Sequence, residues 1–229
     1  MSEQRIEEMS DFFNKRAETY DDHMLIELDL NVFYDEIAKC FPVDRKYVKL
    51  LDLGCGTGLE IERLFKIYPN AEVTGVDLSI EMLNVLKEKY KDKEKQINLI
   101  CKSYFDIDFG ADTYDFALST YSLHHFSAKL KLSLYKKIYT TLKYDGIYIE
   151  GDYTVKTIEE ERQYIAENER LRKENSVNDG FYHYDTPFAI QTQIDLFKKA
   201  GFRNVEVRNQ WDNTSIIVCH KVGGLNDNT

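Results

Sequence analysis

The clearest chemical pattern in this chain is a set of alternating glycines followed by an acid. Gly54, Gly56 and Gly58 follow an apolar run, and Asp52 lies two positions before the first of them. Asp77 comes nineteen residues after Gly58, at the end of a second apolar run. A strand, a glycine loop, a helix and a second strand would place Asp77 at the carboxyl edge of a parallel sheet. There it could bind the ribose hydroxyls of an adenosine-containing ligand.

The spacing of the glycines distinguishes two kinds of ligand. Dinucleotide-binding proteins carry G-x-G-x-x-G, whereas residues 52–58 read D-x-G-x-G-x-G. This segment and Asp77 resemble motif I and the ribose acid of the class I S-adenosylmethionine (SAM)-dependent methyltransferases. The resemblance covers roughly residues 45–220. It implies a methyltransferase of the small-molecule type, with SAM as the cofactor and S-adenosylhomocysteine as its product.

The resemblance assigns residues to a SAM site. Leu78 and Met82 would form an apolar slot for adenine, and the glycine loop would admit the methionine moiety. Tyr20 lies in a segment, residues 12–21, that is similar to the lid preceding motif I in such enzymes. The cofactor-binding residues expected on this basis are Tyr20, Asp52, Gly54, Gly56, Gly58, Asp77, Leu78, Met82, Ser103, Tyr104 and Ser119.

One position departs from the family pattern. At the end of the third predicted strand the family usually offers an acid to the adenine amine. Here Ser103 stands at that position and Tyr104 follows it, with Asp106 as the alternative acid. Ser103 or the backbone is therefore expected to replace the acid.

Catalytic candidates follow the fourth predicted strand. Residues 119–126 read STYSLHHF and resemble the segment after strand four of many small-molecule methyltransferases. Tyr121, His124 and His125 are the candidates, without an assigned role. Neighbouring residues on a helix point about 100° apart, so only one histidine is expected to face the site. No third metal ligand follows at close spacing, and no metal site is expected.

Two later segments could contact the methyl acceptor. Gly151–Tyr153 follows the fifth predicted strand, and residues 181–185 read FYHYD. Tyrosine combines an apolar ring with a polar tip, so Tyr182, His183 and Tyr184 suit either a pocket wall or a loop packed on the sheet edge. Both interpretations remain open at this stage.

The elements that position these residues alternate regularly. Apolar runs separated by helical patterns predict an α/β fold, Rossmann-like and doubly wound, with a mostly parallel seven-stranded sheet and an antiparallel last strand. One methyltransferase domain is expected over residues 1–229. Its parts are an N-terminal helical lid (1–45), a SAM-binding core (46–154), a helical insertion after strand five (155–188), and a last helix with a closing strand hairpin (189–222).

The charge and composition of the chain indicate which kinds of partner it can bind. The net charge is −10 and the pI about 5.1, which disfavours binding to nucleic acid, whose phosphates need Lys and Arg. No apolar run approaches the ~20 residues of a membrane span, and the polar first residues predict a cytoplasmic protein. The four cysteines form no C-x-x-C pair, so buried free thiols are expected. A small-molecule acceptor is expected, and a homodimer stays open.

Three alternatives remain beside a small-molecule methyltransferase. The acceptor could be RNA or protein, although the acidic balance disfavours RNA. A nicotinamide-dependent oxidoreductase would use the same strand–helix–strand unit, but with different glycine spacing. The third alternative is a SAM-binding module without turnover. The sequence does not name the acceptor atom, because oxygen, nitrogen, carbon and sulfur acceptors share this scaffold.

Overall fold

The computed structural model describes residues 6–177 and 179–222, and an eight-stranded sheet lies at its centre. The strands are β1 (Lys49–Leu53), β2 (Glu72–Asp77), β3 (Ile97–Cys101), β4 (Tyr114–Thr120), β5 (Leu142–Val155), β6 (Phe188–Ala189), β7 (Asn204–Gln210) and β8 (Thr214–His220). Their order across the sheet is β3-β2-β1-β4-β5-β8-β7, and β6 pairs with β5 off this path.

Helices precede, connect and follow these strands. Short turns at Ala17–Thr19 and His23–Glu27 join the first three helices. The helices are α1 (Met9–Asn14), α2 (Tyr20–Asp22), α3 (Asn31–Lys39), α4 (Leu59–Ile67), α5 (Ile80–Lys89), α6 (Ala128–Thr141), α7 (Ile158–Glu174) and α8 (Ile190–Ala200). None of these described helices has the length and apolarity needed to cross a membrane.

The strand directions confirm the predicted mostly parallel sheet. Strands β1 to β5 run parallel to their neighbours, whereas β8 runs antiparallel to both β5 and β7. The described residues contain one strand more than the seven expected. The extra strand, β6, has only two residues and pairs with Thr154 and Val155 at the end of β5. Such a short pairing is too brief for sequence periodicity to reveal.

Alternating side chains give the sheet two buried faces. Leu50 and Ile149 belong to one core cluster, whereas Leu51 and Tyr148 belong to the other. Because successive strand residues point to opposite faces, both faces must be covered by helices. The first cluster includes apolar residues of α3, α4 and α5, and the second includes those of α6 and α8. The sheet is doubly wound, as predicted.

The helical insertion after β5 is anchored at both ends. Thr157 and Glu160 form a capping box at the start of α7, which satisfies backbone groups that the first turn leaves free. The carboxylate of Glu161 accepts a hydrogen bond of 2.8 Å from the backbone N–H of Ala189 in β6. The insertion is therefore held against the edge of the sheet where β5 ends.

Candidate active site

The glycine loop after β1 adopts a backbone that favours glycine. Gly54, Gly56 and Gly58 have φ angles of 74°, 48° and 76°. A Cβ on Gly54 would lie 2.0 Å from Oγ of Ser122, whereas a Cβ on Gly56 would have no heavy atom within 4 Å among the described residues. Because Gly54 has no side chain, the loop that carries Ser122 can pack against it. The absence of a side chain at Gly56 leaves open space above the glycine loop.

Asp77 ends β2 and closes onto this loop. Its Oδ2 accepts a 2.9 Å hydrogen bond from the backbone N–H of Gly56, and its Oδ1 accepts one of 2.8 Å from that of Ser79. Burial raises the pKa of Asp77, and the N–H groups of Ser79 and Gly56 oppose that rise. Each carboxylate oxygen keeps a further lone pair for a ligand hydroxyl.

A closed cavity, the donor cavity, lies over the glycine loop and Asp77. Its volume is only about 50 Å³. Side chains of the N-terminal helical segment, Met9, Phe13 and Tyr20, form part of its wall. The predicted residues on the wall are Tyr20, Gly54, Gly56, Asp77, Leu78, Met82, Tyr104, Tyr121 and His125.

Four predicted residues lie beside this wall and not on it. Gly58 begins α4, and its carbonyl accepts a 2.7 Å hydrogen bond from the Tyr90 hydroxyl. Ser103 caps the turn after β3 by accepting from the N–H of Phe105. Ser119 is fully buried in β4. Asp52 is buried beneath the loop.

Asp52 forms a buried acidic pair with Glu60 of α4. No described residue forms a hydrogen bond with either carboxylate oxygen of Asp52 or with Oε1 of Glu60. Burial, reinforced by the nearby Glu60, raises the pKa of Asp52 well above its usual value. Burial also raises the pKa of Glu60 to about 6. Two carboxyl groups this close together repel each other when both are charged. Ionisation of both at once is therefore disfavoured.

These features fit SAM. The glycine backbone leaves room for a ligand at Gly56, and Asp77 offers acceptors for a pair of ribose hydroxyls. Leu78 and Met82 supply apolar surface for an adenine ring. The buried pair of Asp52 and Glu60 lies beneath the loop, and its ionised form would favour a ligand that carries positive charge.

Tyr121 stands at the exit of β4 in a strained conformation. Its φ is 46°, which is uncommon for a residue with a bulky side chain. Its N–H donates to the carbonyl of Gly151 at 2.9 Å, and its hydroxyl lies 3.3 Å from Oγ1 of Thr214. Its ring packs against those of Phe33 and Tyr153. Strain held by such contacts is typical of functional positions.

A second cavity, the acceptor chamber, adjoins the donor cavity. It has a volume of about 560 Å³, which lies within the range of small-molecule sites. Phe13, Tyr20, Tyr121 and His125 border both cavities. The rest of the chamber wall comprises Phe12, Arg16, Thr19, Asp22, His23, Met24, Glu27, Leu28, His124, Tyr153, His183 and Asp185.

The two adjacent histidines both face this chamber. His124 and His125 lie in a turn, with ring centroids 3.9 Å apart. The expectation that only one of them faces the site was wrong, because it assumed a helix. Nε2 of His124 and Nδ1 of His125 each lie 3.4 Å from Oδ1 of Asp185, and Nε2 of His183 lies 4.0 Å from the same oxygen.

The pKa values of the three histidines shift in different directions. Burial alone would lower the pKa of His124, but Asp152 and Asp185 outweigh it and raise this pKa to about 9. Nδ1 of His124 lies 2.5 Å from Oδ1 of Asp152. Burial, followed by the charge on His124, lowers the pKa of His125 well below its usual value. Burial likewise lowers the pKa of His183.

The segment at residues 181–185 is divided between cavities. His183 and Asp185 lie on the acceptor chamber, Tyr182 borders a separate cavity beside α7, and Tyr184 borders another near the end of β5. Met9, Phe13, Thr120 and Ser122 complete the donor cavity wall and were not predicted as site residues. Phe13 lies in the lid segment, and Thr120 and Ser122 lie in the segment after the fourth strand, whereas Met9 belongs to no pattern that marks a site.

The chain resembles known proteins in sequence. Residues 50–146 match a family model described as a methyltransferase domain. A carboxy-S-adenosyl-L-methionine synthase of Nautilia profundicola is 25% identical over 232 residues, covering 92% of this chain and 89% of that protein. The synthase of the same name from Campylobacter fetus is 23% identical over 76% of this chain and 77% of its own length.

Solved structures share the fold. Phosphoethanolamine N-methyltransferase 2 of Haemonchus contortus, in complex with SAM, superposes with a TM-score of 0.69 at 18% identity over 93% of this chain. Human N-acetylserotonin methyltransferase, also with SAM, gives a TM-score of 0.65 at 17% identity over 93% of this chain. This chain spans 60% and 57% of those two proteins.

The matched domain, the relatives and the fold together support a class I SAM-dependent methyltransferase, with SAM as its cofactor.

Proposed function

We propose that this protein transfers the methyl group of SAM to a small molecule bound in the acceptor chamber. The observation that carries this proposal is the wall that the two cavities share, formed by Phe13, Tyr20, Tyr121 and His125. A donor bound over Asp77 would present its methyl group at this wall. The chamber on the other side has the size of a small-molecule site.

The donor-site residues have distinct tasks in this proposal. SAM supplies a methyl group on a sulfonium that leaves as a neutral thioether. Asp77 accepts hydrogen bonds from the ribose hydroxyls, and its own bonds to the N–H groups of Gly56 and Ser79 fix its orientation. The negative charge of Asp52 and Glu60 lies under the loop and favours a cationic ligand above it.

The acceptor-site residues would act mainly by positioning. In-line transfer gains most of its rate from holding the two reacting atoms close and aligned. Tyr121 is fixed between the rings of Phe33 and Tyr153, so it can serve as a rigid wall at the transfer point. Aromatic and polar groups alternate along the chamber, which suits an acceptor with a ring and a polar substituent. A base is needed only if that acceptor must lose a proton.

We infer that residues 6–45 act as a lid over the donor cavity. Oδ1 of Asn14 accepts a 2.7 Å hydrogen bond from Oγ of Ser79, next to the ribose acid. Asp21 lies 2.5 Å from both Oγ1 of Thr57 and Nζ of Lys89. The donor cavity of about 50 Å³ is far smaller than SAM, so these contacts must loosen when SAM enters.

The relatives' name suggests a second reaction, the synthesis of carboxy-SAM. That product carries an added carboxylate, which would need a cation near the shared wall. Arg16 is the guanidinium on the described chamber wall. It is directed elsewhere, since its Nη1 donates to the carbonyl of Phe12 at 2.8 Å and lies 3.7 Å from Glu7. This arrangement favours methyl transfer over carboxylate formation.

The proposal is tested by following the methyl group. The protein is incubated with methyl-labelled SAM and a cell extract, and the label is measured separately in the small-molecule, RNA and protein fractions. We expect the label in the small-molecule fraction, on a compound heavier by one CH₂. Label in RNA or protein, or SAM itself gaining a carboxyl group, would contradict it. Tyr121→Ala, which opens the shared wall, should reduce the transfer, whereas Tyr144→Ala on the exposed surface should not.

A further inference from the structure

Two separate segments bring three metal-binding side chains together on the acceptor chamber. His124 and His125 follow β4, and Asp185 lies sixty residues further along the chain. Each offers one ligand atom, and these atoms all lie within 4.8 Å of one another. The ligands of a tetrahedral ion with bonds of ~2.1 Å are ~3.4 Å apart. The 3.4 Å separation of Asp185 Oδ1 from Nε2 of His124 matches that value. Nδ1 of His125 donates to the carbonyl of Tyr184 at 3.2 Å, which leaves its Nε2 as the ligand atom.

The surrounding structure holds the two segments in place. The carbonyl of His124 accepts hydrogen bonds from both the N–H of Thr186, at 2.7 Å, and its Oγ1, at 2.9 Å. Oδ2 of Asp152 accepts from the N–H of Leu123 at 2.9 Å. These contacts join the histidine turn to the chain beside Asp185 and to the end of β5. The group is therefore preorganised, as a ligand site requires.

A carboxylate also orients His124 in the manner of a metal ligand. Asp152 Oδ1 lies 2.5 Å from Nδ1 of His124, which directs Nε2 towards Asp185. A carboxylate on the far nitrogen is the usual support for a metal-binding histidine, because it fixes the ring and raises its basicity.

Two polar atoms in this group are buried without hydrogen bonds to any described residue. They are Nε2 of His125 and Oδ1 of Asp185. Buried polar atoms are normally paired. Unpaired nitrogen and oxygen lone pairs in one cluster are therefore consistent with binding of a cation.

We propose that His124, His125 and Asp185 bind a divalent transition-metal ion whose open positions face the acceptor chamber. Two imidazoles and one carboxylate suit zinc or ferrous iron, and three protein ligands leave room for a ligand from outside. An oxygen or nitrogen of the acceptor would fill that position. This last role rests on the proposed acceptor chamber, whereas metal binding itself does not.

His183 marks one side of this site. Its ring stacks on Phe12 with centroids 3.5 Å apart, and its Nε2 is 4.0 Å from Asp185 Oδ1. A small shift would make it a fourth ligand. The competing arrangement has no metal, and a protonated His124 then pairs with Asp152 and Asp185 and locks the Asp185 segment.

The test measures metal binding directly. The full chain, stripped with a chelator, is dialysed against Co²⁺ or Zn²⁺ and its metal content determined. We expect one equivalent of bound metal and, with Co²⁺, visible absorption bands. Asp185→Asn and His125→Gln should weaken the binding by roughly 10-fold or more. His220→Gln, at the far end of β8, should bind as the wild type does.

Two outcomes would overturn the proposal. One is a wild type that retains no metal, and the other is a set of variants that binds as tightly as the wild type. Should a variant fail to fold, NMR of the Co²⁺-loaded wild type replaces it, and unshifted ring signals of His124 and His125 would equally exclude the site. Calorimetry of SAM binding to the metal-free protein keeps this result separate from the proposed methyl transfer.

Discussion

Asp77 and Asp52 are neighbouring carboxylates in different surroundings. Asp77 accepts two backbone hydrogen bonds, which oppose the rise that burial causes in its pKa. Asp52 has no such bond from any described residue, and its pKa rises further. The first is therefore suited to accept bonds from a neutral ligand group, and the second to favour a cation.

Asp52→Asn should stabilise the protein at neutral pH. A carboxyl group whose pKa is raised by folding holds its proton more tightly when folded, so stability falls as pH rises from its unfolded pKa through its folded pKa. For Glu60 this window extends from 4.5 to about 6; for Asp52 it begins at 3.8 and extends well above that value. Removing one charge of the pair should raise the free energy of unfolding at pH 8 by on the order of 2 kcal/mol.

Urea unfolding at pH 4.5 and pH 8 measures this effect. The increase in the free energy of unfolding of Asp52→Asn over the wild type should be larger at pH 8. SAM should also bind this variant more weakly. Asp92→Asn, at an exposed position, is the control and should change neither quantity. A variant less stable than the wild type at pH 8 would show that the ionised pair does not destabilise the fold.

The sequence predicted the donor-side residues better than the acceptor side. Gly54, Gly56 and Asp77 follow one another within a single strand–helix–strand unit, so local spacing determines their proximity. The approach of Asp185 to His124 depends on a hydrogen bond from Thr186 across sixty residues. Sequence periodicity predicts local structure and not a contact between distant segments. The prediction for the two histidines assumed a helix, whereas they lie in a turn.

At the scale of elements, the N-terminal segment is attached to the donor site by few polar contacts. Asp21 joins Thr57 of the glycine loop and Lys89 of α5. Asn14 joins the start of α5 through Ser79. The residues before α3 can therefore open without disturbing the sheet, which a lid requires, whereas α3 stays packed in the core.

Asp21→Asn should therefore accelerate the release of SAM. The substitution removes a half-buried ion pair and weakens the bond to Thr57, a loss of about 0.5–1.5 kcal/mol. If the contact is made only in the closed lid, SAM should dissociate roughly 2- to 10-fold faster. Stopped-flow displacement by S-adenosylhomocysteine measures the rate. Asp11→Asn, at an exposed acid of α1 outside both cavities, should behave as the wild type, and equal rates in all three proteins would exclude a latch at Asp21.

The element boundaries followed from physical signals in the chain. Ser79 caps α5 by accepting from the N–H of Met82, and serine is a preferred residue at this position before a helix. Residues 50–53 of β1 are all buried, which is typical of parallel strands buried on both faces. β6 was missed because a two-residue strand depends on the sheet edge it meets and on Glu161, which binds its backbone.

At the scale of the whole molecule, the fold brings the carboxyl ends of β1, β2 and β4 to one edge. That edge carries the glycine loop, Asp77 and the Tyr121 turn, and the N-terminal segment covers it. The net charge of −10 belongs to the molecule as a whole. It favours a small-molecule acceptor over RNA, because phosphates would be repelled.

The central claim is that SAM binds over Asp77, and calorimetry on three proteins tests it most directly. The wild type should bind SAM. Asp77→Asn, which replaces the charged acceptor by a nearly isosteric amide, should bind it roughly 10- to 100-fold more weakly. Asp92→Asn, at an exposed acid outside the donor cavity, should bind as the wild type. Unchanged affinity in folded Asp77→Asn, or a wild type that binds NAD in place of SAM, would contradict the account.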